Sequence, residues 1–184
     1  MRQLIFQEYV TLDGYAAGPN DELDFFDTIA DQADDDDLGF LDTVDTMVLG
    51  ARTYRLFVDY WPTATDVIAP KLNRMRKVVA STTLDSAPWG EWEAGEIVTD
   101  AVKAVGELKR EDGKEIALWG SITLFHTLLT AGLVDEVQLR VCPLVLGAGK
   151  SVFPTGVQPV PLELIEAKPW ATGGVLLRYK PAAS

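Results

Sequence analysis

Two short stretches combine glycine, hydroxyl and backbone amide as an anion site requires: Gly50-Ala51-Arg52-Thr53 and Gly120-Ser121-Ile122-Thr123. Each follows a short apolar run, Thr46-Met47-Val48-Leu49 in one case and Ile116-Ala117-Leu118-Trp119 in the other. Each then leads into a stretch with helical character. A switch from strand to helix across glycine brings a helix N-terminus, with its unpaired amides and positive dipole end, to the edge of a sheet. Ser121 or Thr123 can cap those amides, or a phosphate can take their place. At the first junction Arg52 and Thr53 add a guanidinium and a hydroxyl that can converge on the same phosphate. Ser81-Thr82-Thr83 closes a further strand with three hydroxyls. Asp13-Gly14 ends the first strand, where a carboxylate can contact substrate or relay a proton, or bond its own turn backbone.

Other chemistries lack their residues. His126, the single histidine, falls in the middle of a helical stretch and leaves no base for a nucleophilic triad elsewhere. The single cysteine, Cys142, excludes an intrachain disulfide and a multi-thiolate metal site, and reads as core packing. Asp34-Asp35-Asp36-Asp37 lacks the spaced ligands and turn glycine of a calcium loop. It reads instead as the solvated, dipole-matched start of a helix carrying Leu38, Phe40, Leu41 and Val44. Gly149-Lys150-Ser151 resembles the end of a phosphate loop, but the required first glycine would fall at Leu144, and Pro143 interrupts the strand before it. No metal is expected.

The net charge of −12 over 184 residues argues against nucleic acid or an anionic membrane as partner. No apolar run approaches the roughly 20 residues of a membrane span, and the N-terminus has no secretory pattern, so the expected compartment is the cytoplasm. Residues 1–51 hold thirteen acids and one base, whereas residues 52–77 hold six bases against two acids. That local excess suggests a dock for a small anion, or a solvated face that balances the acidic first third.

The elements that must position these groups follow from periodicity. Strands are expected at 3–10, 46–49, 77–83, 96–98, 115–119 and 135–141, alternating with helical stretches. Trp89-Gly90-Glu91-Trp92-Glu93 reads as an exposed turn whose aromatics serve as a lid or in packing, and Asp100 as the N-cap of the helix after it. Leu162 to Ala167 and Val175 to Tyr179 read as a closing antiparallel hairpin. The expected architecture is a single α/β domain over residues 1–184, with helices flanking a mostly parallel sheet.

Leu12-Asp13-Gly14, Val48-Leu49-Gly50-Ala51-Arg52-Thr53-Tyr54, Trp119-Gly120-Ser121, Leu133-Val134-Asp135-Glu136-Val137 and the stretch from Pro143 to Phe153 occur in an order and spacing that resemble a known group. That group is the RibD C-terminal domain family of the dihydrofolate reductase-like superfamily, and the likeness spans nearly the whole chain. It implies a dihydrofolate reductase-like fold, NADPH as hydride donor, a small-molecule substrate and a homodimer. By this resemblance Gly50, Arg52 and Thr53 contact cofactor phosphate. Ser81 and Thr82 lie near the adenosine 2′-phosphate, and Gly120, Ser121, Ile122 and Thr123 cradle the pyrophosphate. The chain departs from the pattern with Ala51 where a second base is usual, and with Gly120-Ser121 where many members have two glycines.

The implied activity is a stand-alone reductase acting on a C=N or C=O bond of a heterocyclic or ribosyl compound, since no zinc-binding deaminase cluster accompanies the domain. Asp13 is the expected catalytic contact, and Asp36 or Asp37 falls near where dihydrofolate reductases place their pterin-binding carboxylate. Tyr15, Phe57 and Trp61 are candidate pocket walls. The rival expectation is a nucleotide-binding sensor or resistance factor with the same crevice and no turnover.

Overall fold

In this computed structural model of the chain, residues 1–25, 30–156 and 158–182 are described, residues 30–35 by their backbone alone. The order is β1 (Leu4–Thr11), β2 (Tyr15–Ala17), α1 (Ala30–Leu41), β3 (Val44–Gly50), α2 (Ala51–Tyr60), α3 (Ala69–Arg74) and β4 (Arg76–Ala80). There follow β5 (Ala87–Trp89), β6 (Trp92–Val98), α4 (Ala101–Leu108), β7 (Glu115–Trp119), α5 (Ile122–Thr130), β8 (Glu136–Cys142), β9 (Lys150–Ser151), β10 (Leu162–Pro169) and β11 (Val175–Pro181). Among the described residues nine strands form one sheet in the order β10-β11-β8-β1-β7-β3-β4-β6-β5, and β2 pairs with β9. From β8 to β6 all neighbours are parallel. The hairpin of β10 and β11 adds two antiparallel strands at one edge, and β5 adds another at the far edge. This is the mostly parallel sheet with a C-terminal hairpin that the periodicity implies.

Alternation along the buried strands feeds two cores, one on each face. Leu4, Phe6 and Val10 of β1 and Ile116 and Leu118 of β7 pack under Val105 and Leu108 of α4 and Phe125 and Leu128 of α5. Ile5, Ala117, Met47 and Leu49 point the other way, onto Phe40 and Leu41 of α1, Tyr54 of α2 and Leu72 of α3. Phe6 stacks on Phe125 with ring centroids 3.6 Å apart, which fixes α5 over the centre of the sheet.

Three local expectations are corrected. The exposed turn shrinks to Gly90-Glu91 between β5 and β6, and Trp89 takes a packing role instead, fully buried with its indole Nε1 donating to Asn73 Oδ1 at 2.6 Å. Val44 belongs to β3 rather than to the acidic helix, of whose expected span residues 26–29 lie outside the described residues. The acidic run is not simply solvated: Asp36 holds Lys168 and Trp170, and Asp37 is buried against Arg140, while the side chains of Asp34 and Asp35 lie outside the described residues. Among the described residues, no helix is long and apolar enough to cross a membrane.

Strands β1 and β7 pair only over Leu4–Gln7 and Ile116–Trp119, whereas β1 continues beside β8 as far as Thr11. Beyond Gln7 and Trp119 the sheet therefore parts, opening a crevice at the C-terminal ends of its central strands, where open α/β sheets take ligands. Phe125→Ala removes the ring that seats α5 beside this crevice. It is expected to cost about 3–5 kcal/mol, read as a lower denaturant midpoint with unchanged slope.

Candidate functional site

The two strand–glycine–helix junctions meet because β3 and β7 are parallel neighbours. Helices α2 and α5 therefore start side by side at the same edge of the sheet. The Gly50 amide donates to Ser121 Oγ at 2.8 Å, the Ser121 amide donates to Thr53 Oγ1 at 2.9 Å, and Ser121 Oγ donates to the Trp119 carbonyl at 3.0 Å. Each hydroxyl of the pair is thus spent on the other junction. Neither Gly50 nor Ser121 caps its helix with a side chain, and neither first turn carries an acid. Among the described residues neither Ser121 nor Thr123 makes the capping bond that was one of the sequence-based alternatives. The positive ends of both helices stay available to an external anion.

The turn itself is tight. Gly120 and Ser121 are consecutive left-handed residues, with φ of +54° and +55°. A Cβ on Gly120 would lie 3.1 Å from Thr53 Oγ1 and 3.2 Å from Thr53 Cγ2. Only glycine lets the backbone pass this close to α2.

A cavity of about 1020 Å³ opens over the two helix starts, room for a dinucleotide and a small substrate. Gly50, Arg52, Thr53, Gly120, Ser121, Ile122 and Thr123 all line it. Ser81 and Thr82 line a smaller adjoining hollow of about 320 Å³, which shares Ala51, Ala80 and Thr99 with the main cavity. Ser81 Oγ accepts from the amides of Thr83 and Leu84 at 3.1 and 3.0 Å, so its first task is to shape that turn. Phe57 and Trp61 wall the cavity, and Tyr15 does not.

Asp13 is elsewhere. It accepts from Thr11 Oγ1 at 2.6 Å and from the amides of Leu146 and Gly147 at 3.1 and 2.7 Å. Those donors, Thr11 foremost, hold its carboxyl down at about 2. An ionised carboxylate tied to the glycine loop, outside the cavity lining, is an anchor for that loop. The proton relay expected of Asp13 finds no support in this geometry.

Of the six bases between residues 52 and 77, Arg52 is the one that reaches the cavity. Lys71 pairs with Asp42, Arg76 with Glu96 and Glu111, and Lys77 is buried with its ammonium on the Asn73 carbonyl. Arg52 itself is clasped by Asp21, which also holds Lys150; the two cations, Arg52 first, lower the Asp21 carboxyl. A carboxylate thus sits between the two cations at the cavity wall, where a phosphate oxygen would compete for the same donors.

The other wall is built on β1, β7 and β8, and of its charged side chains Asp37 alone stood out in the sequence. Trp119 Nε1 donates to Gln7 Oε1 at 2.5 Å, and Gln7 Nε2 donates to Gln138 Oε1 at 3.0 Å. Arg140 of β8 is buried, forks onto both carboxylate oxygens of Asp37 and lies over the Tyr9 ring. Its Nε is buried with no hydrogen-bond partner among the described residues. Glu8 lines the cavity half-buried, and burial pushes its carboxyl up to about 8 against smaller opposing effects of the Tyr9 amide and the Arg140 charge. One signal was legible: alternation places Glu8 in the inward row of Leu4, Phe6 and Val10, where a charge is out of place.

A raised acid pKa means that the folded chain holds this proton longer than the unfolded chain does, so Glu8 lowers stability as pH rises from about 4.5 to about 8. Glu8→Gln is therefore expected to match the parent in melting temperature near pH 4.5. Its advantage should grow through pH 8 and level off above, as read by thermal melts across that range.

Comparison with known proteins bears on the family and the fold. The RibD C-terminal domain model matches residues 2–176. The uncharacterized protein YyaP of Bacillus subtilis is 31% identical over 183 residues, covering 97% of this chain and 94% of its own. A putative riboflavin biosynthesis protein from Shewanella superposes with a TM-score of 0.81 at 18% identity, covering 98% of this chain and 99% of its own. A diaminohydroxyphosphoribosylaminopyrimidine deaminase/5-amino-6-(5-phosphoribosylamino)uracil reductase from Thermotoga maritima superposes at 0.67 with 15% identity, covering 98% of this chain but 57% of its own. At such identities the two structures speak for the fold. The family match, the relative in Bacillus and the dihydrofolate reductase-like sheet agree: this chain belongs to the RibD C-terminal domain family.

Proposed function

We propose that the chain is an NADPH-dependent reductase of a C=N or C=O bond in a small heterocyclic or ribosyl compound. The observation that carries this reading is the pair of uncapped helix starts, locked together by Gly50, Thr53 and Ser121 and open to one cavity. Two positive helix ends side by side suit a pyrophosphate, and Gly120, which no residue with a Cβ could replace without moving Thr53, lets the backbone approach it. Arg52 exchanges the Asp21 carboxylate for a phosphate oxygen. The hydroxyls of Ser81 and Thr82 border the adjoining hollow, which suits the adenosine 2′-phosphate that distinguishes NADPH from NADH.

When bound, the reduced nicotinamide supplies the hydride. The protein's share is alignment and exclusion of water: Phe57, Trp61, Leu72 and Trp119 line the cavity as its apolar wall. Arg140, neutralised by Asp37, lines the same cavity, so that wall suits an uncharged part of the substrate. The Thermotoga neighbour, a deaminase/5-amino-6-(5-phosphoribosylamino)uracil reductase of which this chain covers 57%, supports the same class of reaction.

Homodimerisation belongs to this reading. Strand β10 is a sheet edge with Leu162, Leu164 and Ile165 exposed, the kind of edge that a second copy covers.

Three outcomes are expected. NADPH raises the melting temperature more than NADH does, and nicotinamide absorbance falls when a suitable ketone or cyclic imine is added; binding without oxidation across a broad panel would instead favour a sensor or resistance factor. Arg52→Ala weakens NADPH by about 1.5–3 kcal/mol, on the order of 10- to 150-fold, measured by fluorescence titration. Leu164→Lys shifts the chain from dimer to monomer in sedimentation.

A further inference from the structure

A reduction of C=N or C=O needs a proton as well as a hydride, and the cavity offers few groups to carry one. Among the described residues its carboxylates are Glu8, Asp21, Asp37 and Asp100. Asp21 is held by Arg52 and Lys150, and Asp37 by Arg140. Asp100 caps α4 by accepting from the Lys103 amide at 3.0 Å. His126 lies outside the lining, its Nε2 2.9 Å from the Val152 carbonyl. Glu8 differs. Its Oε1 accepts from the Tyr9 amide at 2.9 Å, and its Oε2 makes no hydrogen bond among the described residues. That oxygen lies beside the junction of the two helix starts: a Cβ on Gly120 would sit 3.6 Å from it. The strand places it there because β1 has just parted from β7.

We infer that Glu8 is the proton donor of the reduction proposed above, on which this inference rests. The carbon of the C=N or C=O bond receives hydride from the reduced dinucleotide, and the π pair of that bond moves to the nitrogen or oxygen. That atom takes the proton from Glu8. The substrate is reduced by two electrons, the dinucleotide is oxidised, and the Glu8 carboxylate recovers its proton from water through the open mouth of the cavity.

The electrostatics suit the role. Burial keeps Glu8 protonated to about pH 8, with Arg140 the cation that opposes this and Asp37 neutralising Arg140 in turn. A neutral carboxyl also tolerates phosphates at the adjacent helix starts, whereas an ionised one would repel them. Dinucleotide binding and Glu8 protonation are therefore coupled.

The experiment uses the full chain, NADPH and a panel of cyclic imines and ketones. For a compound that is reduced, kcat/KM is expected to stay level below about pH 8 and to fall about tenfold per unit above it. Glu8→Gln is expected to lose about 100-fold or more in kcat and to abolish that falling limb. A second readout needs no turnover: NADPH affinity of the parent weakens above pH 8, while that of Glu8→Gln does not.

If Glu8→Gln retains the parental rate and the same limb, Glu8 is not the donor and the reductase reading stands. If NADPH binds but no compound in the panel is reduced, or if NADPH does not bind, the reductase reading falls and takes this inference with it. Should Glu8→Gln fail to fold, carbon-13 titration of the parent decides. A Glu8 carboxyl titrating near its ordinary 4.5 instead of about 8 overturns the assignment.

Discussion

Two hydrogen bonds between neighbouring strand ends organise this molecule: Gly50 amide to Ser121 hydroxyl, and Ser121 amide to Thr53 hydroxyl. They exist only because β3 and β7 run parallel and adjacent, so that two helices begin at the same edge. Parallel pairing makes the helix dipoles add at one place. The same bonds spend the hydroxyls that would otherwise cap the helices, so the positive ends face the cavity rather than being neutralised within the protein. In a chain of net charge −12, this gives anions a local refuge that composition alone would deny them.

Beneath the cavity the sheet is polar where a parallel sheet is ordinarily apolar. Trp119, Gln7 and Gln138 link β7, β1 and β8, and Glu136 extends the chain of bonds to Arg178 of β11. A buried network with its members paired holds side chains in one arrangement, and the rigid floor it makes is worth more to a binding site than to stability. The Arg140–Asp37 pair does the same for α1, tying it across the crevice to β8. Desolvation offsets much of such a pair's Coulomb attraction, so its contribution lies in fixing geometry.

The loops that flank the mouth act as one unit. Asp13 binds the amides of Leu146 and Gly147, β2 pairs with β9, and the Val152 amide donates to the Gly14 carbonyl at 3.0 Å. A Cβ on Gly149 would lie 2.2 Å from the Ala17 carbonyl oxygen, so that glycine serves the contact of two loops and not a phosphate. Asp21 then joins this unit to α2 through Arg52.

The alternation of apolar runs with helical spacing determined the parallel sheet, its closing hairpin and the two glycine junctions, because those patterns are local and a buried strand or helix start writes them directly into neighbouring residues. Asp13 shows where such patterns stop. Its position at a strand end is local information, but its partners at Leu146 and Gly147 are more than a hundred residues away. The sequence put Asp37 in an acidic run and Glu8 in the inward row of β1, but their partners, and Arg140 altogether, came into view only in three dimensions. The chemistry of Asp37 and Arg140 depends on a cross-chain ion pair, and that of Glu8 on the parting of β1 from β7. Charge pairing and desolvation are set by what surrounds a group in space, so the residues that could move a proton were decided by the tertiary structure.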